Sequence, residues 1–356
     1  MTLQGPADDL DFDSARGEFD LEPSRLSGAI LGGRYQVVGY LSHGATSRVY
    51  VARDLSGDHG RVVVKVLSPE VSERAEFREL MLREAHAALS INHPNVVRVL
   101  DLNDGASGPV FVVMEALVGN ALGDLLRRGP LPAARALELG CQICRGLAAA
   151  HAAGVVHRDV KPDNVYVARQ ADGTDLVKVL DFGMAKIGSS SGSSAPHTVL
   201  GTAAYMSPEQ SLAEPVDARS DIYSFGVLLF RMLTGHLPFE AESPADLLRH
   251  QLFSPTPPLG WLMDPVDPNL EAIVVNATRK SPGNRYASMA ELLVDLEQVA
   301  RGSEAAVPLR PLVSSPDAYE PLTDQGDRAV SLLAKKFGQY ARVPELRSRI
   351  RKSTDT

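Results

Sequence analysis

The sequence predicts an α+β chain in two lobes: a small antiparallel β-sheet with one main helix, followed by a larger and mostly α-helical part. Three observations lead there. Short β-branched runs crowd into residues 34–117, with one helical stretch among them. Past Val118-Gly119-Asn120 the pattern changes to helices. Within that second half, "DIYSFGVLLFRML" is apolar all round, the mark of a buried central helix. With 356 residues, 44% hydrophobic and 22% charged, the chain can bury a sizeable core.

The elements follow in order. Residues 1–33 are polar and punctuated by Gly and Pro; residues 1–25 hold seven acids against two bases. They read as a flexible or loosely docked arm, too acidic for a signal peptide. The runs "RYQVVGYL", "SRVYVARDL" and "RVVVKVL" are strand-like, the third set off by the turn signal "SGDHG". The helical stretch "ERAEFRELMLREAHAALS" comes next, then the strands "VVRVLDL" and "PVFVVMEAL". This places one lobe at 34–117 and the other at 118–300. Helices are expected near 133–153, 219–235, 243–252 and 288–299. Ser243-Pro244 is an N-cap with Pro at the first helical position, and Ser288 with Glu291 predicts a capping box. Residues 301–326 are Pro-rich and read as a linker. Residues 327–356 hold eight Lys/Arg against three acids. Val330, Leu333, Phe337 and Tyr340 there would share one face of a helix. No internal repeat is visible.

The bulk numbers exclude some functions. A net charge of −8 argues against nucleic acid as the main partner. No apolar run reaches the roughly 18 residues that span a bilayer, so a soluble, cytoplasmic protein is expected. The only cysteines, Cys141 and Cys144, form a C-x-x-C. Leu137, Cys141, Cys144, Ala148 and His151 follow a helical rhythm, so the pair reads as core thiols rather than a redox or zinc motif.

The chemistry concentrates in "HRDVKPDN", His157 to Asn164, followed seventeen residues after Asn164 by Asp181-Phe182-Gly183. A strand-like "VKVL" leads into Asp181, and "GTAAYMSPEQ" follows. With these motifs at this spacing, residues 35–300 resemble the protein kinase superfamily, specifically the eukaryotic-like Ser/Thr kinases of bacteria. The resemblance implies the bilobal protein-kinase fold, ATP with Mg²⁺ or Mn²⁺, and protein substrates with Ser/Thr acceptors. It assigns Asp159 to the substrate hydroxyl and its proton, and Lys161 to the transferred phosphoryl group. Asn164 and Asp181 become the metal ligands. Thr202 is placed beside Asp159 and Lys161, and His157 becomes a packing residue of the loop.

Upstream, Lys65 in "VVVKVL" matches the strand lysine that contacts the α- and β-phosphates, with Glu84 as its helix partner and Glu79 as runner-up. A lysine between valines on a buried strand needs a charge partner. Met114 matches the gatekeeper, and Glu115 and Leu117 the hinge groups that meet adenine through their backbone. Ala116 stands where an aromatic is frequent. Val63 stands where an alanine usually roofs the base. "LSHGATSRV" matches the glycine-rich loop with one glycine of three: Leu41, Ser42, Gly44, Ser47 and Val49 line the nucleotide. Alone this stretch reads as an ordinary hairpin more readily than as a phosphate loop. Serine resists φ > 0, so a stiffer loop and weakened ATP binding are expected.

The remaining matches are structural or regulatory. Ser207-Pro208-Glu209 replaces the usual A-P-E, with Arg285 as the buried partner of Glu209, and Asp221 braces the catalytic loop. Between Asp181 and Glu209 a Gly/Ser-rich stretch reads as mobile. Ser194 and Thr198, then Ser193 and Ser191, are candidates for activating phosphorylation, with Arg158 and Lys186 placed to receive the phosphate. The basic tail either stays solvated, docks on the catalytic lobes, or meets an acidic partner or anionic surface. Two functions stand: an active Ser/Thr kinase, or a pseudokinase serving as a binding scaffold. Lys65, Glu84, Asp159, Lys161, Asn164 and Asp181 are all present, which favours the first.

Overall fold

Strand alternation builds the first unit. In the computed structural model the described residues are 26–44, 47–68, 72, 74–105, 108–170, 172–182, 203–241, 243–302 and 306–310. Six strands form one antiparallel sheet: β1 (Ile30–Leu31), β2 (Tyr35–His43), β3 (Ser47–Asp54), β4 (Arg61–Leu67), β5 (Val99–Asn103) and β6 (Phe111–Glu115), in the order β1-β2-β3-β4-β6-β5. Val62, Val64 and Val66 of β4 alternate onto one face, where they pack with Tyr35, Val37, Tyr50, Ala52, Phe111 and Val113. Each buried valine contributes about 1.5–3 kcal/mol. Tyr35 meets Phe111 edge-on at 6.1 Å, and its hydroxyl donates to Asp101 at 2.6 Å, so its polar tip is paired. Helix α1 (Ala75–Leu89) packs against β5 through a face that buries Ala85 and Ala88.

The chain divides into two units. The first runs to Leu89 and resumes over Arg98–Leu117; the second comprises Ser90–Val97 and everything from Val118. Residues 90–97 thus leave the first unit, interrupting the lobe expected at 34–117. Their hydrogen bonds explain it. Val179 N–H donates to Asn95 C=O at 2.9 Å and Val97 N–H to Val179 C=O at 3.0 Å. The Asn95 amide donates to Gln142 and to the Val177 carbonyl.

The second unit contains more than the helices foreseen. A three-stranded antiparallel sheet, β7 (Gly119–Ala121), β8 (Val165–Arg169) and β9 (Asp175–Val179), accompanies them. The helices are α2 (Leu122–Leu126), α3 (Ala133–Ala152), α4 (Pro208–Ser211), α5 (Ala218–Thr234), α6 (Pro244–Phe253), α7 (Pro268–Ala277) and α8 (Met289–Ala300). Every residue of α5 from Ser220 to Phe230 is buried, as its all-round apolar pattern predicts. Gly226 lets α7 approach closely: a Cβ there would lie 2.7 Å from the Thr278 methyl. Cys141 and Cys144 are buried free thiols on α3, and burial pushes the first up to about 11 and the second well above its usual range.

Three details depart from expectation. Ser288 caps α8 through the Glu291 N–H, but Glu291 reaches Ala287 N–H instead of closing the box on Ser288. The start of the expected linker, residues 306–310, is fastened to α7 and α8. Val307 N–H donates to Asn269, the fully buried Asn276 amide bonds Pro308 C=O and Arg310 N–H, and Arg310 pairs with Glu291 over the Tyr286 ring. The end of the expected arm at 1–33 is not loose: Ile30 and Leu31 form β1 and pair with Gln36 and Tyr35 of β2. Residues 1–25 of that arm, the linker from 311 on and the basic tail lie outside the described residues.

Candidate active site

In the first unit, strand register gathers the predicted nucleotide residues. Val49 pairs with Lys65 and Lys65 with Val112; Val63 pairs with Val51 and Met114. Cross-strand partners share a face. Val49, Val63, Lys65 and Met114 therefore stand together on the face opposite the valine core. Lys65 is 9% exposed. Ser47, two residues before Val49, shares that face, and Ser42 joins it as the partner of Val49. Leu41 is the extra residue where the β2–β3 register shifts. Glu84 sits on α1 with its side chain outside the described residues, so its pairing with Lys65 is not described; Glu79 is exposed.

The hairpin at Gly44 closes through its N–H, which donates to Ser47 C=O at 2.8 Å. Neither Ser42 nor Ser47 has a positive φ. The torsional cost expected of serines there does not arise, because both sit in extended strand ends rather than in the turn. A Cβ on Gly44 would meet only Ser47 atoms, at 3.9 Å, an ordinary contact.

After Met114 the strand ends at Glu115, whose N–H donates to Arg98 C=O at 3.0 Å while its carboxylate accepts Arg98 N–H at 2.8 Å. A backbone contribution from Glu115 to a ligand therefore falls to its carbonyl. Ala116 and Leu117 are half-buried.

In the second unit the catalytic-loop residues form one hydrogen-bonded constellation. Lys161 Nζ lies 2.8 Å from Asp159 Oδ2. Asn164 Nδ2 donates to the same oxygen at 2.8 Å and to the Asp159 carbonyl at 2.8 Å. That orientation turns Asn164 Oδ1, a hard oxygen ligand, away from Asp159. Leu180 N–H donates to Asn164 C=O at 2.9 Å, placing Asp181 next to Asn164 along the chain path. Asp181 takes a left-handed φ of 58°, which aspartate tolerates.

His157 is fully buried and locked at both ring nitrogens. Its Nδ1 accepts Asp159 N–H at 3.2 Å and its Nε2 faces Leu180 C=O at 2.7 Å, which requires the neutral Nε2–H tautomer. Its ring lies 4.8 Å from that of Phe182. Asp221, fully buried on α5, accepts the N–H groups of His157 and Arg158 at 2.7 Å each, with His151 also 2.7 Å from its Oδ2. Arg158 itself holds a left-handed φ of 68°.

Further along, Arg285 grips Glu209 with two bonds of 2.8 Å, and Ser220 donates to the same carboxylate. Burial pushes the Glu209 carboxyl up, but the bonds and charge of Arg285 outweigh it and hold the group below its ordinary range. Sequence reasoning missed three members of this network. Gln210 donates to the Arg158 carbonyl at 2.7 Å; Ser220 supports Glu209; and His151, read as part of a core stripe, meets Asp221. Only their positions in the fold, not their spacing, mark them. Thr202, Lys186 and the candidate phosphosites Ser191, Ser193, Ser194 and Thr198 lie outside the described residues.

Comparison with known proteins shows the family and the fold. A family model described as protein kinase domain matches residues 35–292. The serine/threonine-protein kinase PknB of Mycolicibacterium smegmatis is 39% identical over 301 residues, covering 83% of this chain and 45% of that protein. The kinase pkn3 of Myxococcus xanthus is 38% identical over 273 residues, 75% of this chain and 50% of that one. The solved kinase domain of Mycobacterium tuberculosis PknI is similar in fold, with a TM-score of 0.60 and 25% identity, covering 76% of this chain and 98% of that chain. The chain spans about half the length of the curated relatives it matches.

Proposed function

We propose, from the premise that this chain belongs to the protein kinase family, that it transfers the γ-phosphoryl group of ATP to Ser/Thr hydroxyls of protein substrates. The observation that carries the reading is the Asp159–Lys161–Asn164 constellation. Phosphoryl transfer is largely a problem of positioning and charge. Lys161 and Asn164 occupy one oxygen of Asp159, Oδ2. The other, Oδ1, accepts the substrate hydroxyl and then its proton. Lys161 lies beside this oxygen pair, where its charge meets the phosphoryl oxygens.

Asn164 Oδ1 and the Asp181 carboxylate suit a hard divalent cation. Two such protein oxygens are what Mg²⁺ takes when nucleotide phosphates supply further ligands. When bound, the metal neutralises phosphate charge. On the first unit's sheet face, Lys65 holds the α- and β-phosphates, Val49 and Val63 pack on the adenine, and Glu115 C=O and Leu117 backbone meet its edge. Incubation with labelled ATP and Mg²⁺ should label the chain itself or a generic acceptor protein on Ser/Thr. A folded chain that transfers nothing would instead favour the binding-scaffold role.

The cradle role of Gly44 has a separate test. Since a Cβ there makes only an ordinary contact with Ser47 at 3.9 Å, Gly44→Val should leave thermal stability within about 0.5 kcal/mol of the parent. Its bulk against the phosphates should raise the KM for ATP about tenfold. Unchanged nucleotide affinity and turnover would remove Gly44 from the nucleotide site. We extend the reading to regulation: autophosphorylation within 181–209, with Ser194 and Thr198 preferred, activates the enzyme. Mass spectrometry of active protein should find that segment phosphorylated; an unmodified segment at full activity would refute it.

A further inference from the structure

We infer that Gln210 is a positioning residue that holds the peptide preceding Asp159 and ties it to the chain emerging from the activation segment; this rests on the kinase reading above. The carboxamide of Gln210 is held at both ends. Its Oε1 accepts Ser207 N–H at 3.0 Å, completing a capping box in which Ser207 Oγ accepts Gln210 N–H. Its Nε2 donates to the Arg158 carbonyl at 2.7 Å.

The position of that carbonyl matters. Arg158 adopts a left-handed φ of 68°, a conformation that an arginine holds only when its surroundings impose it. Asp221 secures the turn from one side through the N–H groups of His157 and Arg158. Gln210 secures it from the other through the Arg158 C=O, which belongs to the peptide plane leading directly into Asp159. α4 is itself fixed. Ser224 donates to Tyr205 C=O at 2.7 Å, Gln251 donates to Ala204 C=O, and Glu209 is clamped by Arg285. The route from residues 203–207 through the Gln210 amide therefore runs through hydrogen-bonded parts, and a shift in that stretch reaches the peptide before Asp159 through the Gln210 side chain.

The capping box allows the two jobs of Gln210 to be separated. In Gln210→Glu the N3 acceptor is kept, and glutamate suits that position as well as glutamine does. The donor is lost, and a carboxylate oxygen faces the Arg158 carbonyl. In Gln210→Met both the cap acceptor and the donor are lost. Thermal stability, kcat, the KM for ATP and amide hydrogen exchange at Arg158 and Asp159 are measured on the full chain. Gln210→Glu is expected to keep the parental midpoint of unfolding and KM for ATP, while kcat falls about 10- to 100-fold, the scale of a misplacement near 1 Å. Exchange at Arg158 and Asp159 should accelerate. Gln210→Met should lose both stability and kcat. If kcat instead follows stability, normal in Gln210→Glu and reduced only in Gln210→Met, Gln210 is merely a cap and the inference fails. The exchange measurement does not need activity. Accelerated exchange in Gln210→Glu supports the positioning role even with an inactive parent, a result that would count against the kinase reading alone, and unchanged exchange overturns it.

Discussion

Replacing Arg285 by alanine is expected to destabilise the second unit by about 3–5 kcal/mol, the range for breaking a buried ion pair from one side. The side chain of Arg285 is fully buried and that of Glu209 4% exposed. Arg285 does more than pair with Glu209. It also donates to the carbonyls of Arg219, Arg279 and Lys280, and stacks over the Tyr223 ring at 5.0 Å. Its loss leaves a buried carboxylate and three carbonyls short of a donor. The pH dependence should reverse as well. In the parent the Glu209 carboxyl titrates below its ordinary value. The pair's contribution is therefore full above the unfolded carboxyl range and is lost as pH falls through the depressed value. In the variant, burial, the largest single influence, is opposed only by the Ser220 and backbone hydrogen bonds and raises the Glu209 carboxyl. A raised carboxyl contributes stability at low pH that is lost as pH rises through its folded value. Urea unfolding followed by far-UV circular dichroism across the acid range reads both effects. A loss under about 1 kcal/mol, the range of exposed pairs, would show that the clamp is not structural. Replacing both partners with apolar residues of similar volume should recover part of the loss, because no charge is then buried alone.

How far this was legible in the sequence depends on the range of the interaction. Elements set by local periodicity were readable: strands β2 to β6 of the first sheet, α3, α5 and the caps Ser243 and Ser288 all follow from alternation, apolar stripes or N-cap chemistry. The hydrogen-bonded cluster of Asp159, Lys161 and Asn164 was foreshadowed by resemblance, because residues 157–164 lie close together in the chain. What stayed hidden depends on packing between distant segments. Strands β7 and β8 are short and gain their edges only from each other and β9. Residues 90–97 read as the approach to a strand, yet belong to the second unit through Asn95 and Val179. The Pro-rich start of the linker looked loose because proline removes local hydrogen bonds; its partners Asn269, Asn276 and Glu291 are 19 or more residues away. Gln210 was visible only as a letter in "SPEQ"; its partner at Arg158 is 52 residues upstream.

The Asp159→Asn variant is expected to fold like the parent and lose about 10²–10⁴-fold in kcat, the usual contribution of a positioned general base. The substitution is nearly isosteric, so the local network decides its outcome. Lys161 Nζ and Asn164 Nδ2 both point donors at Oδ2. The new amide satisfies them only by turning its oxygen to that side. Its NH₂ group then occupies the Oδ1 position, where the reaction requires an acceptor for the hydroxyl proton. A donor stands where a base is needed, while every bond to the fold survives: Asp159 N–H still meets His157, and its carbonyl still accepts from Asn164. The proposed nucleotide role of Lys65 and its sheet face is untouched by this substitution, so the KM for ATP should hold within a few-fold. Asp159→Ala is the complementary case. It removes the partner of Lys161 and Asn164 as well as the base, so stability and kcat should fall together. The informative comparison is kcat at matched unfolding midpoint. If Asp159→Asn turned over at the parental rate, proton acceptance by Asp159 would not limit the reaction, and the proposed catalytic role would pass to Lys161.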